Sequence, residues 1–220
     1  MSYQHIDQQG NIIDLPLGKV LCIGQNYHDH IAEMNSKTAP EALFFIKPNT
    51  AVVDINQPFP IPEQLGAVHN ETELAVLIKA PVSKVAPDQV LGAVWGYGLA
   101  LDLTLRDQQK KLKELGRPWE IAKGFDGACP VSGFIPTEQL GDVQQLQFSL
   151  KVNGELRQQG DTCMMIRSVT QIISELSQFF TLLPGDLVLT GTPAGVGPLY
   201  SGDQLELTLA NKLHIKTSVR

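Results

Sequence analysis

The sequence predicts a β-dominated α+β domain, and three observations carry that prediction. Short apolar or alternating runs, each bounded by turn residues, recur along the whole chain. Helical periodicity is confined to a few short segments. Strand and helix patterns do not alternate regularly, as a doubly wound sheet would require.

Taken in order, residues 19–24 (Lys-Val-Leu-Cys-Ile-Gly) read as a buried strand. Residues 25–34 read as a loop entering a short helix. Residues 42–46 form a second buried strand, closed by Lys47-Pro-Asn. Residues 54–70, rich in Pro, Asn and Gln, read as a surface connection. Residues 73–79 and 93–101 are strands. Residues 104–115 carry Leu105, Leu112 and Leu115 at helical spacing and stop at Gly116. Residues 116–136, rich in Gly and Pro, read mostly as loop. Residues 147–152 alternate into Asn153-Gly154, a strong hairpin signal, and residues 154–165 read as a further loop. Residues 168–180 are the best helix: Ser168 and Gln171 form a capping box, and Ile172, Ile173, Leu176, Phe179 and Phe180 make one stripe. Residues 187–190 are a strand. Leu205, Leu207 and Leu209 alternate, turn at Asn211-Lys212, and return through Leu213 and Ile215.

Composition narrows the function classes. With 220 residues and 43% hydrophobic content, the chain can bury a core without disulfides or structural metal. The net charge of −6 does not suggest a nucleic-acid surface. Cys22, Cys129 and Cys163 are far apart and form no Cys-x-x-Cys pair, so no zinc knuckle or redox motif is supported. The first residues lack a basic region followed by an apolar core, and no apolar run approaches the ~20 residues of a membrane helix. The expectation is a cytoplasmic protein in a reducing compartment, with no membrane partner.

Three carboxylates stand out. Glu71 and Glu73 lie two apart in an apolar stretch, so period two puts them on one face with Cα atoms roughly 6.6 Å apart. Asp102 ends a second apolar run, Trp95-Gly-Tyr-Gly-Leu-Ala-Leu-Asp102. Anions among Leu74, Val76 and Ile78 need a cation, and oxygen ligands suit a hard divalent metal. A solvated strand edge is the other reading of Glu-x-Glu taken alone. Arg106 and Gln109 share a helical face close to these residues; Arg106 could bind a carboxylate or pair with Asp102 or Asp107. Lys123, in Ile-Ala-Lys-Gly-Phe, is either a solvated loop lysine or a partly desolvated one, whose pKa would fall. Thr190-Gly-Thr192-Pro-Ala-Gly-Val-Gly could cradle an anion or be an ordinary turn; it lacks the Gly-Lys-Ser/Thr ending of a P-loop. His30 and Glu33, three apart, could form a surface pair or a histidine oriented to take a proton from water.

Together, Gln25-Asn-Tyr27, Phe45-Ile-Lys47-Pro48, His69-x-Glu71-x-Glu73, Gly98-x-x-x-Asp102, Arg106-Asp107, Lys123-Gly-Phe, Val152-Asn-Gly-Glu155 and Leu189-Thr-Gly-Thr-Pro-x-Gly-Val-Gly197 resemble the fumarylacetoacetate hydrolase family. The nearest branch is the single-domain acylpyruvate hydrolase and oxaloacetate decarboxylase type, whose His-Asp-His30-x-x-Glu33 pattern is intact. The resemblance covers residues 18–219. It implies one catalytic domain over residues 18–220 after an N-terminal extension (1–17), folded as a mixed β-sandwich or roll with a few short helices. It implies Mg²⁺ or Mn²⁺ on Glu71, Glu73 and Asp102, substrate binding by Arg106, Gln109 and Thr192, and catalysis by His30, Glu33 and Lys123. It also implies a homodimer.

The expected reaction is cleavage of the C3–C4 bond of a small 2,4-dioxo acid. His30, oriented by Glu33, activates water, and pyruvate leaves as a metal-stabilised enolate. Oxaloacetate decarboxylation and oxaloacetate keto–enol tautomerisation pass through the same enolate and are the alternatives. A non-catalytic dicarboxylate-binding module is the distant one.

Overall fold

The structure is a computed structural model that describes residues 3–38 and 40–220. The chain enters the main sheet with β1 (Val20–Gly24), whose apolar residues are buried on both faces. Gln25, at φ +60°, breaks the strand and leads into α1 (His28–Glu33). β2 (Leu43–Lys47) returns antiparallel to β1, and β3 (Val52–Asp54) follows. The expected surface connection of residues 54–70 ends in β4 (Val68–Asn70). Glu71 then separates β4 from β5 (Thr72–Ile78), which is buried at every position and pairs antiparallel with β6 (Val94–Leu101).

The helix expected over residues 104–115 begins two residues later. Thr104 and Leu105 form β7 (Thr104–Leu105), paired with β4, and α2 (Arg106–Glu114) continues from it. The expected loop 116–136 holds α3 (Glu120–Lys123), β8 (Cys129–Val131) and β9 (Ile135–Pro136). These elements are too short for periodicity to reveal, and their partner strands hold them. β10 (Gln147–Val152) turns at Asn153-Gly154, both at positive φ, into β11 (Glu155–Asp161). That strand occupies most of the expected loop 154–165; its polar sequence hides a buried face at Gln158 and Gly160.

The capping box of α4 (Val169–Phe179) is formed as expected, with Gln171 N–H donating to Ser168 Oγ and Ser168 N–H to Gln171 Oε1. Ile172, Ile173 and Leu176 of its stripe are buried, whereas Phe179 is 74% exposed in the last turn. β12 (Leu187–Leu189), β13 (Gly197–Pro198), β14 (Gln204–Leu209) and β15 (Leu213–Ser218) complete the chain.

Among the described residues, the strands make three sheets. The largest runs β2-β1-β12-β5-β6-β8-β3, with β9 added beside β6; the second is β11-β10-β14-β15; the third is β13-β4-β7. One face of the large sheet (Leu21, Ile23, Leu74, Val76, Leu99) shares a core with Phe148, Leu150 and Leu207 of the second sheet and with α4. Its other face (Val20, Cys22, Ala75, Leu77, Ala100) shares a core with Ile13, Val131 and Phe134. The N-terminal residues closest to the body therefore pack on it: Ile13 is buried, and His5 Nε2 lies 3.0 Å from Gly185 O. Among the described residues no helix is long and apolar enough to cross a membrane.

Sheet polarity positions the site. β12 is parallel to β1, and β5 is antiparallel to both β12 and β6. The exits of β1, β12 and β6 and the start of β5 consequently meet at one end. Gln25, Thr190–Thr192, Asp102, Glu71 and Glu73 all stand there.

Candidate active site

Glu73 is the second residue of β5, opposite Ala100 of β6, and Asp102 lies just beyond β6. Glu71 sits in the break before β5, not within the strand as expected, and its carbonyl accepts from Asp102 N–H at 2.7 Å. That bond fastens the two chain segments side by side. Each residue offers a carboxylate oxygen, and the three oxygens lie within 4.8 Å of one another. All three side chains are buried.

Buried anions must be compensated, and three cations do this. Lys123 Nζ donates to Glu71 Oε2, Asp102 Oδ2 and Thr104 Oγ1, each at 2.7 Å. Arg106 donates to Glu71 Oε1 and to Gln109 Oε1, the latter at 2.7 Å. Lys47, wholly buried at the end of β2, lies 2.7 Å from Asp102 Oδ1 and donates to the carbonyls of Ala128 and Lys123. Sequence reading assigns Lys47 no role, although it belongs to the Phe45-Ile-Lys47-Pro48 motif. The available signal was a lysine at the buried end of an apolar strand.

The charges respond accordingly. Burial raises Glu71, but Lys123 and Arg106 outweigh it and hold the carboxyl far below its usual range. Burial, then the Asp102 and Glu71 charges, push Glu73 well above its usual range. The expected drop at Lys123 does not occur. Burial pulls the lysine down, but Asp102 and Glu71 hold it above its ordinary value.

The loop after β12 closes a second wall. Gly191 N–H donates to Glu73 Oε2 at 2.6 Å. Gly191 has φ +93°, and a Cβ there would lie 2.7 Å from the Asn26 side chain, so only glycine fits. Thr192 Oγ1 donates to Thr72 O at 2.9 Å and accepts from Gln158 Nε2 at 2.7 Å, so its hydroxyl proton is already committed. Gln158, 1% exposed, spends its whole amide here. It donates also to Pro193 O at 3.0 Å and accepts from Thr72 N–H at 2.9 Å and Asn70 Nδ2 at 2.8 Å. Sequence reading missed Gln158, because a glutamine among Arg157, Gln159 and Asp161 looks like any exposed polar residue.

Glu33 links α1 to this loop. Its Oε1 accepts from Gly195 N–H at 3.0 Å, while Oε2 lies 3.3 Å from His30 Nδ1. A carboxylate on Nδ1 fixes the ring and leaves Nε2 as the free nitrogen.

One cavity, open to solvent, unites these groups. Eight of the nine residues singled out from sequence line it: His30, Glu71, Glu73, Asp102, Arg106, Gln109, Lys123 and Thr192. Glu33 stands behind His30. Ile23, Leu43, Phe45 and Trp119 supply apolar wall. A small anion entering it meets cationic donors and a histidine beside a carboxylate triad.

Fold and site together define a β-rich domain with a buried oxygen-donor triad at one end of a mixed sheet. The chain belongs to the fumarylacetoacetate (FAA) hydrolase C-terminal family, whose profile matches residues 19–220. It is 54% identical over 207 residues, 94% of each chain, to the oxaloacetate tautomerase YcgM of Escherichia coli (strain K12). It is 44% identical over 187 residues, 85% of each chain, to the mitochondrial oxaloacetate tautomerase of Homo sapiens. Among solved structures it is similar to the fumarylpyruvate hydrolase from Pseudomonas aeruginosa in complex with Mn²⁺ and pyruvate. There the TM-score is 0.92 at 37% identity, covering 99% of this chain and 95% of that one. The family and fold expected from the motifs are thus confirmed. For the reaction, the two sequence relatives favour the expected alternative, tautomerisation, over acylpyruvate hydrolysis.

Proposed function

We propose that the protein is a divalent-metal-dependent enzyme of 2-oxo acids whose principal reaction is keto–enol tautomerisation of oxaloacetate. The observation that carries the chemistry is the buried Glu71–Glu73–Asp102 triad sharing one cavity with Lys123, Arg106 and His30. The 54% identity to an oxaloacetate tautomerase supports the choice of reaction.

The donor set fits a hard ion. It is all oxygen and buried, and Glu73 is held well above its usual range by burial and then by the Asp102 and Glu71 charges, a repulsion that a cation between them would relieve. Glu71, Glu73 and Asp102 would hold Mg²⁺ or Mn²⁺, which when bound acts as a Lewis acid toward an enolate oxygen.

The chain's own groups do the rest. Arg106 and Gln109, already joined, present N–H donors to the C1 carboxylate. Lys123, its three ammonium protons held by Glu71, Asp102 and Thr104, would release one of these bonds to turn a proton to the 2-oxo oxygen. His30 Nε2, freed by the Glu33 contact at Nδ1, removes a proton from C3. The C3–H pair becomes the C2–C3 double bond, the C2–O π pair moves onto oxygen, which Lys123 protonates, and exchange with solvent resets both groups. Ketonisation runs the same steps backward. Thr192, its hydroxyl bonded to Thr72 O, shapes the wall.

Hydrolysis of 2,4-dioxo acids is a second reading, favoured by the His30–Glu33 pair in the cavity wall and by the hydrolase neighbour. There His30 would take its proton from water. The test follows the enol absorbance of oxaloacetate with Mg²⁺. Wild type should hasten its decay, and His30→Ala should lose about 10²–10⁴-fold of that rate. Decay at the uncatalysed rate, beside rapid conversion of acetylpyruvate to pyruvate and acetate, would overturn the proposal in favour of the second reading.

A further inference from the structure

Helix α2 turns one face toward the cavity. Arg106, Gln109 and Lys113 stand at i, i+3 and i+7, and all three line it. Arg106 and Gln109 are engaged with each other and with Glu71. Lys113 lies two turns from Arg106 and is exposed. Of the helix's lysines, Lys110, Lys111 and Lys113, it is the one that reaches the cavity.

Its position is held by an aromatic wall. Lys113 Nζ lies 5.8 Å from the Trp119 ring centroid, and Trp119 packs on Phe45 with centroids 6.1 Å apart. Lys123 Nζ in turn lies 5.2 Å from the Phe45 centroid. Two ammonium groups therefore sit along one wall. The inner one is locked between Glu71 and Asp102, and the outer one has no ion-pair partner among the described residues.

Oxaloacetate carries two carboxylates. With C1 bound by Arg106 and Gln109, the C4 carboxylate can extend along the same face of α2 toward Lys113, which lines the cavity two turns further on. Arg106 is assigned to C1 and Lys123 to the 2-oxo oxygen, so the cation left for C4 is Lys113, which no ion pair engages among the described residues. We infer that Lys113 binds the C4 carboxylate of oxaloacetate and so selects 2-oxo dicarboxylates over 2-oxo acids with uncharged tails. This inference rests on the oxaloacetate reading of the site. It makes Lys113 a specificity-determining residue, and nothing in the proton transfers requires it.

The test is calorimetric titration of the Mn²⁺-loaded protein with oxaloacetate and with pyruvate, which lacks the second carboxylate. Lys113→Met should weaken oxaloacetate binding about 10-fold or more, the loss of a charge-assisted hydrogen bond, and leave pyruvate unchanged. Lys113→Arg should restore most of the difference. In kinetics, KM for oxaloacetate should rise in Lys113→Met with kcat nearly constant. Equal losses for both ligands, or none for either, would overturn the inference. A Lys113-dependent preference for oxaloacetate in a protein that fails to tautomerise it would sustain the inference and overturn the reaction instead.

Discussion

Asp102 takes a cation on each oxygen: Lys47 on Oδ1 and Lys123 on Oδ2, both at 2.7 Å. Removing one partner of a buried pair strands the other charge, at about 3–5 kcal/mol. Lys47→Met should therefore lower unfolding stability in metal-free buffer by about 3 kcal/mol, read from denaturant titration. Saturating Mn²⁺ should recover part of the loss, because it brings positive charge to the same carboxylate. A variant as stable as wild type would remove Lys47 from the charge balance. For the triad itself, Glu73→Gln should weaken Mn²⁺ binding, measured by electron paramagnetic resonance, by more than the about 10–100-fold typical of outer partners. The triad was legible because acidic residues in apolar stretches are conspicuous. The direction of the Lys123 shift was not, because it depends on two anions that only folding brings to it.

At the scale of elements, hairpin β10–β11 belongs to the second sheet yet reaches the site through Gln158. Gln158→Leu keeps the volume but strands Thr72 N–H and the Asn70 amide, at about 1–3 kcal/mol for each buried group. Lower thermal stability and weaker Mn²⁺ binding should appear together, whereas the exposed neighbour Gln159→Ala should change neither. The 191–197 loop makes a different prediction. Gly195 has φ +99°, and a Cβ there would lie 1.8 Å from Arg157 O, so Gly195→Ala must displace the N–H that holds Glu33. It should lower kcat while leaving Mn²⁺ affinity intact, a split that steady-state kinetics and metal titration report separately. Elements with local signals were read correctly: the Asn153-Gly154 turn and the Ser168 capping box are written within a few residues. β11 returns from that turn along β10, and its polar sequence hides only where it ends and that Gln158 is buried. β8 and β9 exist because β6 and β3 pair with them, and no local pattern contains that information.

For the whole molecule, the fold class followed from counting strands, but the end of the sheet at which the chemistry collects follows from strand order. The N-terminal segment, expected as an extension, docks through His5, wholly buried beside Phe134 with ring centroids 5.9 Å apart. Burial holds His5 below its ordinary value of 6.5, opposed in part by the Gly185 and Pro16 carbonyls. The folded state takes up the ring proton only at a lower pH than the unfolded chain, which does so near 6.5. The contribution to stability is thus complete above that pH and is lost as pH falls toward the folded value. His5→Gln should flatten the fall in melting temperature between about pH 7 and pH 5. An unchanged slope would contradict the clasp.

In the proposed reaction the site makes and unmakes the enol of oxaloacetate without needing to break a carbon–carbon bond. Proton NMR of oxaloacetate in deuterium oxide with Mg²⁺ and the protein tests it most directly. The C3 protons should exchange well above the protein-free rate, faster than pyruvate accumulates. Pyruvate appearing as fast as, or faster than, the exchange would contradict it.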